Sequence, residues 1–167
     1  MSKPTIGIIG GGQLGSMLST AAKNLNIKTV IISDDEQAPA QFFADEFIFC
    51  KYDDEFKIIE FSNKVDFVTF EFENIPYDTL CKIDNIKKIY PKPSINKIIQ
   101  NRLSEKDFLN KNNIKTTSYI SVKNESELKS SQDFIPGILK TCTLGYDGKG
   151  QYKINNEEEL DNLKVNF

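Results

Sequence analysis

The chain has 167 residues, 39% of them hydrophobic and 27% charged, with a formal net charge of −3 and no histidine. That length and apolar share suit one ordinary domain or two small ones with a packed core, while the negative balance excludes the broad positive field of a nonspecific nucleic-acid binder. Without histidine, Ser-His and Cys-His nucleophilic designs are excluded too, leaving carboxylates, lysines and bound metal for acid, base or electrostatic work.

No apolar run approaches the ~20 residues of a membrane span, and the polar start Met1-Ser2-Lys3-Pro4 does not resemble a secretion signal. A soluble cytoplasmic protein with neither membrane nor nucleic acid among its partners is expected. Cys50, Cys81 and Cys142 are far apart and have no histidine beside them, which suits neither a disulfide framework nor a zinc site. Cys50 ends an apolar strand and is expected to be buried.

Thr5-Ile6-Gly7-Ile8-Ile9 reads as a buried strand running into Gly10-Gly11-Gly12-Gln13-Leu14-Gly15, which opens a helix. Leu14, Met17, Leu18, Ala21, Ala22 and Leu25 recur at three- and four-residue steps, Asn26 stands near the end, and Lys28 to Ile32 form the next strand. The glycine run satisfies the dinucleotide fingerprint, because Gly12 permits close backbone approach and a helix N-terminus favours an anion. Asp34 and Asp35 follow the second strand ~20 residues later, where an NAD protein places its ribose-binding carboxylate. These residues fit a dehydrogenase domain, and equally a tight turn followed by a solvated acidic loop.

Phe47 to Cys50 and Val65 to Phe70 supply two further strands around a helical stretch carrying Phe56, Ile58 and Ile59, and a fifth short strand is expected at Lys88-Ile89-Tyr90. The alternation predicts an α/β protein with a Rossmann-like, doubly wound parallel sheet whose ligands lie beyond the carboxyl ends of its strands. Phe70-Glu71-Phe72-Glu73-Asn74-Ile75-Pro76 falls at that edge. Glu71 and Glu73 share a side if the strand continues, and they suit a ribose or an amine there, or simply an exposed strand end. The first domain is expected over residues 1–92, ending near Pro91-Lys92-Pro93, and the second over 93–167.

Beyond the prolines, Ile95, Ile98, Ile99 and Leu103 keep helical spacing, Asn110 to Asn113 form a polar break, and a strand is expected around Ser118-Tyr119-Ile120. Asn124 with Glu127, and Asn156 with Glu159, have the capping pattern of helix starts. The second pattern leaves the chain barely into a helix at Phe167, so the second domain is expected to be cut short. Arg102 is the only arginine and by itself suggests surface, yet a guanidinium binds phosphate oxygens in a way lysine cannot duplicate. Ile138-Leu139-Lys140 reads as a strand ending in lysine, Gly145-Tyr146-Asp147-Gly148-Lys149-Gly150-Gln151 as a glycine loop, and Gln151 to Ile154 as a returning strand. Such a loop is either a hairpin turn or a phosphate-gripping flap, and the lysines flanking and within it favour ATP.

Gly10 to Gly15, Phe70-Glu71-Phe72-Glu73-Asn74, Arg102 with Glu105-Lys106, and Gly145 to Gln151 occur in that order. Together they resemble the 5-(carboxyamino)imidazole ribonucleotide synthases, ATP-grasp ligases of purine biosynthesis, and the resemblance covers essentially the whole chain. It implies a Rossmann-like pre-ATP-grasp domain followed by the incomplete start of an ATP-grasp domain. It also implies a reaction in which ATP, magnesium and bicarbonate carboxylate the exocyclic amine of 5-aminoimidazole ribonucleotide through carboxyphosphate.

By the same resemblance Arg102, Lys140, Gly145, Tyr146, Asp147, Gly148, Lys149, Gly150 and Gln151 bind ATP. Asp147 and Lys149 would be catalytic, with Asp147 closing the loop or orienting the acceptor. Gly12, Gln13, Leu14 and Glu73 face the ribonucleotide, whose phosphate the glycine turn would hold. The family also implies a homodimer, and arginine and glycine at the positions of Cys142 and Leu144. Its magnesium ligands lie in a further domain's length of chain, so no metal ligand is assigned here. The residues alone leave two other functions open, an NAD-dependent dehydrogenase domain and a noncatalytic nucleotide-binding module. The chain by itself is expected to be nearly inactive, and product formation by the purified 167-residue chain would overturn that expectation.

Overall fold

Four short strands rich in isoleucine, valine and phenylalanine lie side by side in the first half of the chain, since branched and aromatic side chains fit a pleated surface packed on both faces. They are β1 (Thr5–Ile9), β2 (Lys28–Ser33), β3 (Glu46–Phe49) and β4 (Phe67–Phe70), all parallel, in the order β3-β2-β1-β4. The computed structural model describes residues 3–145 and 148–167. In the central strands β1 and β2, alternate residues go to opposite faces. Ile8 and Ile31 join Ala40 on one side, while Ile9, Val30 and Ile32 enter the larger core on the other with Ile58, Phe61, Val68, Leu80 and Ile83.

Helix α2 (Glu55–Asn63) is started by Asp54, whose carboxylate accepts the Lys57 N–H at 3.1 Å, and it buries Ile58 and Phe61. Helix α3 (Tyr77–Ile86) has no counterpart in the sequence-based expectations. It follows Pro76 and buries Thr79, Leu80 and Ile83. The Thr79 hydroxyl donates to the Tyr52 carbonyl at 2.6 Å. Cys50 is buried as expected, and burial pushes its thiol up to about 11.

Helix α1 (Gln13–Asn24) forms where predicted but buries a different face, which shares only Ala22 with the apolar stripe. Its buried residues are Gly15, Ser16, Ser19 and Ala22, whereas Leu14, Met17, Leu18 and Leu25 are 55%, 60%, 40% and 72% exposed. The reason is close packing at its amino end: a Cβ on Gly15 would lie 2.6 Å from the Gly10 carbonyl oxygen, so only small residues fit the inward side. The expected strand at Lys88-Ile89-Tyr90 shrinks to one parallel bridge between Ile89 and Val68. Pro91 follows at once and has no N–H with which to extend a ladder.

The chain divides into one compact unit reaching Lys97 and another from Ile98 to Phe167. The helical spacing read through Leu103 is interrupted. Helix α4 (Pro93–Ile99) stops, and the Asn101 side chain accepts the N–H groups of Leu103 and Ser104 to start α5 (Arg102–Lys111) afresh. No regular strand forms at Ser118–Ile120, because no neighbouring strand pairs with it. Asn124 and Asn156 cap α6 (Glu125–Lys129) and α7 (Glu157–Asn162) as expected, accepting the N–H groups of Glu127 and Glu159, each at 2.9 Å. Helix α7 is finished at Asn162 rather than still running at Phe167. Strands β5 (Gly137–Lys140) and β6 (Gln151–Ile154) pair antiparallel, and Ile154 packs with Leu128 and Leu160 in a small core. No helix among the described residues is long and apolar enough to cross a membrane.

Gly7 in the middle of β1 exists to admit Phe61, since a Cβ there would lie 2.7 Å from the ring. Gly7→Ala is expected to cost about 1–3 kcal/mol by overpacking, and pairing it with Phe61→Leu to cost less than the sum of the two changes. Denaturant midpoints at constant m-value provide the check.

Candidate functional site

At the carboxyl edge of the parallel sheet, the turn between β1 and α1 is built from internal contacts. The Gly10 N–H donates to the Ile32 carbonyl at 2.9 Å, and the Gly11 carbonyl accepts the Ala40 N–H at 3.0 Å. A Cβ on Gly11 would strike Ala38 and Ser33. Gln13 and Leu14 follow as the exposed first residues of α1, where helical N–H groups have no helical acceptor.

Strand β4 ends at Phe70, so Glu71 and Glu73 lie on a loop rather than on one face of a continuing strand. The Glu71 N–H still donates to the Ile9 carbonyl at 3.1 Å, turning its side chain back toward the glycine turn. There Oε1 accepts the Gly12 N–H at 3.1 Å. Burial pushes the Glu71 carboxyl above its ordinary range, the Gly12 N–H opposes that shift, and the nearby Glu73 charge adds to it. The Glu73 carboxylate accepts from the Asn74 amide at 3.2 Å.

Asn96, on α4 and fully buried, donates to the Glu73 carbonyl at 3.1 Å and to the Ile75 carbonyl at 3.4 Å. It holds the loop that carries Glu73, and the sequence signal for it was slight: one asparagine between Ile95 and Ile98. Asp35, expected as a ribose ligand under the NAD alternative, instead accepts the Gln37 N–H at 2.9 Å within its own turn. Asp34 is exposed beside it.

In the second unit, β5 and β6 form the two sides of a hairpin whose connection carries the glycine loop. Lys140 stands opposite Gln151, and Thr141 N–H donates to the Gly150 carbonyl at 2.9 Å, adding a rung. Thr141 also occupies the space that two loop glycines leave open, because a Cβ on Gly145 would lie 2.8 Å from its Oγ1 and one on Gly150 would meet its side chain. Thr141 was missed in the sequence, where it looks like an ordinary strand residue. Gly148 adopts φ +79 in open space, so the demand there is on the backbone and not on room.

Arg102 joins this hairpin from the start of α5. Its N–H donates to the Cys142 carbonyl at 2.9 Å and its Nη2 to the Gly145 carbonyl at 3.0 Å. The structure thus brings Arg102, Lys140, Gly145 and Gly148 through Gln151 to one hairpin, with Lys140 and Lys149 exposed. Tyr146 and Asp147 lie outside the described residues. No group of three or more Cys, Asp or Glu side chains gathers to hold a metal among the described residues.

A parallel sheet with a glycine turn at its carboxyl edge, followed in the chain by a glycine-rich hairpin, defines an α/β protein. Residues 3–100 match the ribonucleotide synthetase preATP-grasp domain, and residues 107–166 match the ATP-grasp domain. The chain belongs to the ribonucleotide synthetase preATP-grasp family. It is 41% identical over 161 residues to an N5-carboxyaminoimidazole ribonucleotide synthase of Staphylococcus aureus (strain COL), covering 93% of this chain and 42% of that protein. It resembles the crystal structure of the Staphylococcus aureus N5-carboxyaminoimidazole synthetase complexed with ADP, with a TM-score of 0.88 and 39% identity over 95% of this chain and 44% of that one. A carboxyaminoimidazole ribonucleotide synthase from Aspergillus clavatus, complexed with ATP, gives a TM-score of 0.81 at 26% identity, over 95% of this chain and 43% of that one. The chain therefore spans 42% of the length of the first curated relative.

Leu144 sits at φ 57, a left-handed conformation that costs a leucine and suits a glycine, the residue the resemblance implied at this position. Leu144→Gly is expected to raise stability by about 1 kcal/mol despite removing a large side chain, and Leu144→Val to lower it. Thermal unfolding of the two variants checks both signs.

Proposed function

We propose that this chain serves the ATP-dependent carboxylation of 5-aminoimidazole ribonucleotide by bicarbonate, with the first unit facing the ribonucleotide and the hairpin of the second binding ATP. The observation that carries the proposal is the attachment of Arg102 to the carbonyl of Gly145, a residue at the mouth of the glycine loop in the segment that matches the ATP-grasp domain. Among the described residues the guanidinium spends one donor on the loop, and its planar fork suits phosphate oxygens.

In this mechanism a bicarbonate oxygen attacks the terminal phosphorus of ATP and the bond to the ADP oxygen breaks, giving carboxyphosphate and ADP. The exocyclic amine then attacks the carboxyl carbon, phosphate departs, and the nitrogen gives up a proton. Such phosphoryl transfer depends mainly on positioning and on neutralising charge as it moves. Arg102, Lys140 and Lys149 supply positive charge along the hairpin. Gly145, Gly148, Gly150 and Gln151 supply backbone that closes over the triphosphate, joined by Tyr146 and by Asp147, which orients the acceptor. Closure keeps water from a labile intermediate. Gly12, Gln13, Leu14 and Glu73 face the ribonucleotide, and Asn96 holds the Glu73 loop in register.

Magnesium belongs to this proposal as the ion that accompanies ATP. The described residues gather no ligand set that fits it. A homodimer and a cytoplasmic place of action are further parts of the proposal, carried by the family resemblance.

Calorimetry on the chain is expected to register ATP and 5-aminoimidazole ribonucleotide but not NAD. Arg102→Ala and Lys140→Gln should each weaken ATP at least about tenfold while leaving the ribonucleotide affinity unchanged. Unchanged ATP affinity in both variants would sink the proposal.

A further inference from the structure

The far end of the parallel sheet, where its strands begin, carries a depression of its own. Lys28 opens β2 and donates its N–H to the Pro4 carbonyl at 2.9 Å, while the Asp66 N–H donates to the Thr5 carbonyl at 2.8 Å, so the leads into β2, β1 and β4 converge. Lys87 caps the end of α3 with its N–H on the Ile83 carbonyl at 2.8 Å, and the Lys88 carbonyl accepts the Val68 N–H at 2.9 Å, which brings that corner beside β4. Among these leads lies an open cavity of about 540 Å³ whose lining includes Lys3, Lys28, Lys64 and Lys87.

Four lysines thus share one small cavity in a chain whose net charge is −3. Lys64 is neutralised locally, because it pairs with Glu60 at 2.9 Å and with Glu46, neither of which lines the cavity. Lys3, Lys28 and Lys87 have no ion-pair partner among the described residues. Asp66 is the one carboxylate among the described lining residues, and its Oδ2 accepts the Thr5 N–H at 2.8 Å. The negative carboxyl end of a helix draws lysines, which accounts for Lys64 after α2 and Lys87 after α3. It does not account for Lys3 and Lys28, which stand where strands begin. Like charges held around one cavity raise the local potential and draw an anion from solution.

We infer that this cavity is a second binding site, at the amino end of the sheet, for a small polyvalent phosphate of the pyrophosphate kind. Three uncommitted ammonium groups offset by one carboxylate match an ion of two or more negative charges, whereas a singly charged ion gains little once Asp66 opposes it. The Thr5 hydroxyl and the Asn63 amide belong to the same lining and are able to donate to phosphate oxygens. Lysines present compact point charges that rearrange around such an ion. No aromatic side chain is among the described lining residues, so the cavity has no face on which a base would stack, and the phosphate itself is what it recognises. The inference stands apart from the proposed function, since it uses none of the residues given there to ATP or to the ribonucleotide.

Inorganic pyrophosphate is the probe. Backbone amide signals of Thr5, Val65, Asp66 and Lys87 are followed by NMR as it is added to the chain, to Lys28→Gln, to Lys87→Gln and to the double variant. Lys28 is exposed and Lys87 half-buried, so both substitutions leave the core intact. Saturable shifts at these amides are expected, with affinity about threefold weaker in each single variant and about tenfold weaker in the double. Lys51→Gln, beyond the other end of β3, tests for general attraction to lysine, and Arg102→Ala tests for an effect relayed from the hairpin. Both should leave the affinity read at these amides unchanged. Absence of saturable shifts there, unchanged affinity in the double variant, or equal weakening by Lys51→Gln or Arg102→Ala would overturn the inference. Loss of ATP binding would count against the proposed function and leave the pyrophosphate result standing.

Discussion

Burial of β1 on both faces is the constraint on which the first unit depends. A strand in that position must admit packing from each side, and the close approach is possible only where side chains are small or missing. Gly7 yields to Phe61 of α2 on one face, and Gly15 of α1 rests against the Gly10 carbonyl at the strand's end. The small inward face of α1 follows from this, and so does the outward display of its leucines. The same closeness brings the end of β1 beside the end of β4, which is how Glu71 reaches the Gly12 N–H across 59 residues of chain.

The second unit solves a different problem with little core. Among the described residues Leu128, Ile154 and Leu160 are its buried apolar side chains, so much of its local order comes from caps and from the hairpin ladder. Thr141 and Arg102 then secure the base of the glycine loop, one by filling the space two glycines leave and the other by holding the Cys142 and Gly145 carbonyls. Gly148 takes φ +79, a backbone conformation that glycine adopts without strain.

Much of this was legible beforehand. The first four strands, the helix after the glycine run and the two asparagine caps announce themselves through periods of 2 and 3.6 and through cap chemistry, all of which act over a few residues. The family's motifs, too, are short strings whose order along the chain is enough to recognise them. What periodicity misjudged was direction: the apolar stripe of α1 is real, but the helix turns it to solvent because the glycine turn sets how near the sheet it lies. The expected strands at Lys88-Ile89-Tyr90 and Ser118-Tyr119-Ile120 had suitable residues and insufficient partners, since a strand exists only by pairing.

The sequence by itself determined the first four strands, α1, the glycine turn and loop, and the family, because each is encoded in neighbouring residues. Only the tertiary structure decided which side chains meet: Glu71 on the Gly12 N–H, Asn96 under the Glu73 loop, Arg102 on Gly145. Those partners are 59, 23 and 43 residues apart, and no local rule of backbone or side chain reaches so far. Their meeting is set by strand order and by how closely the elements pack.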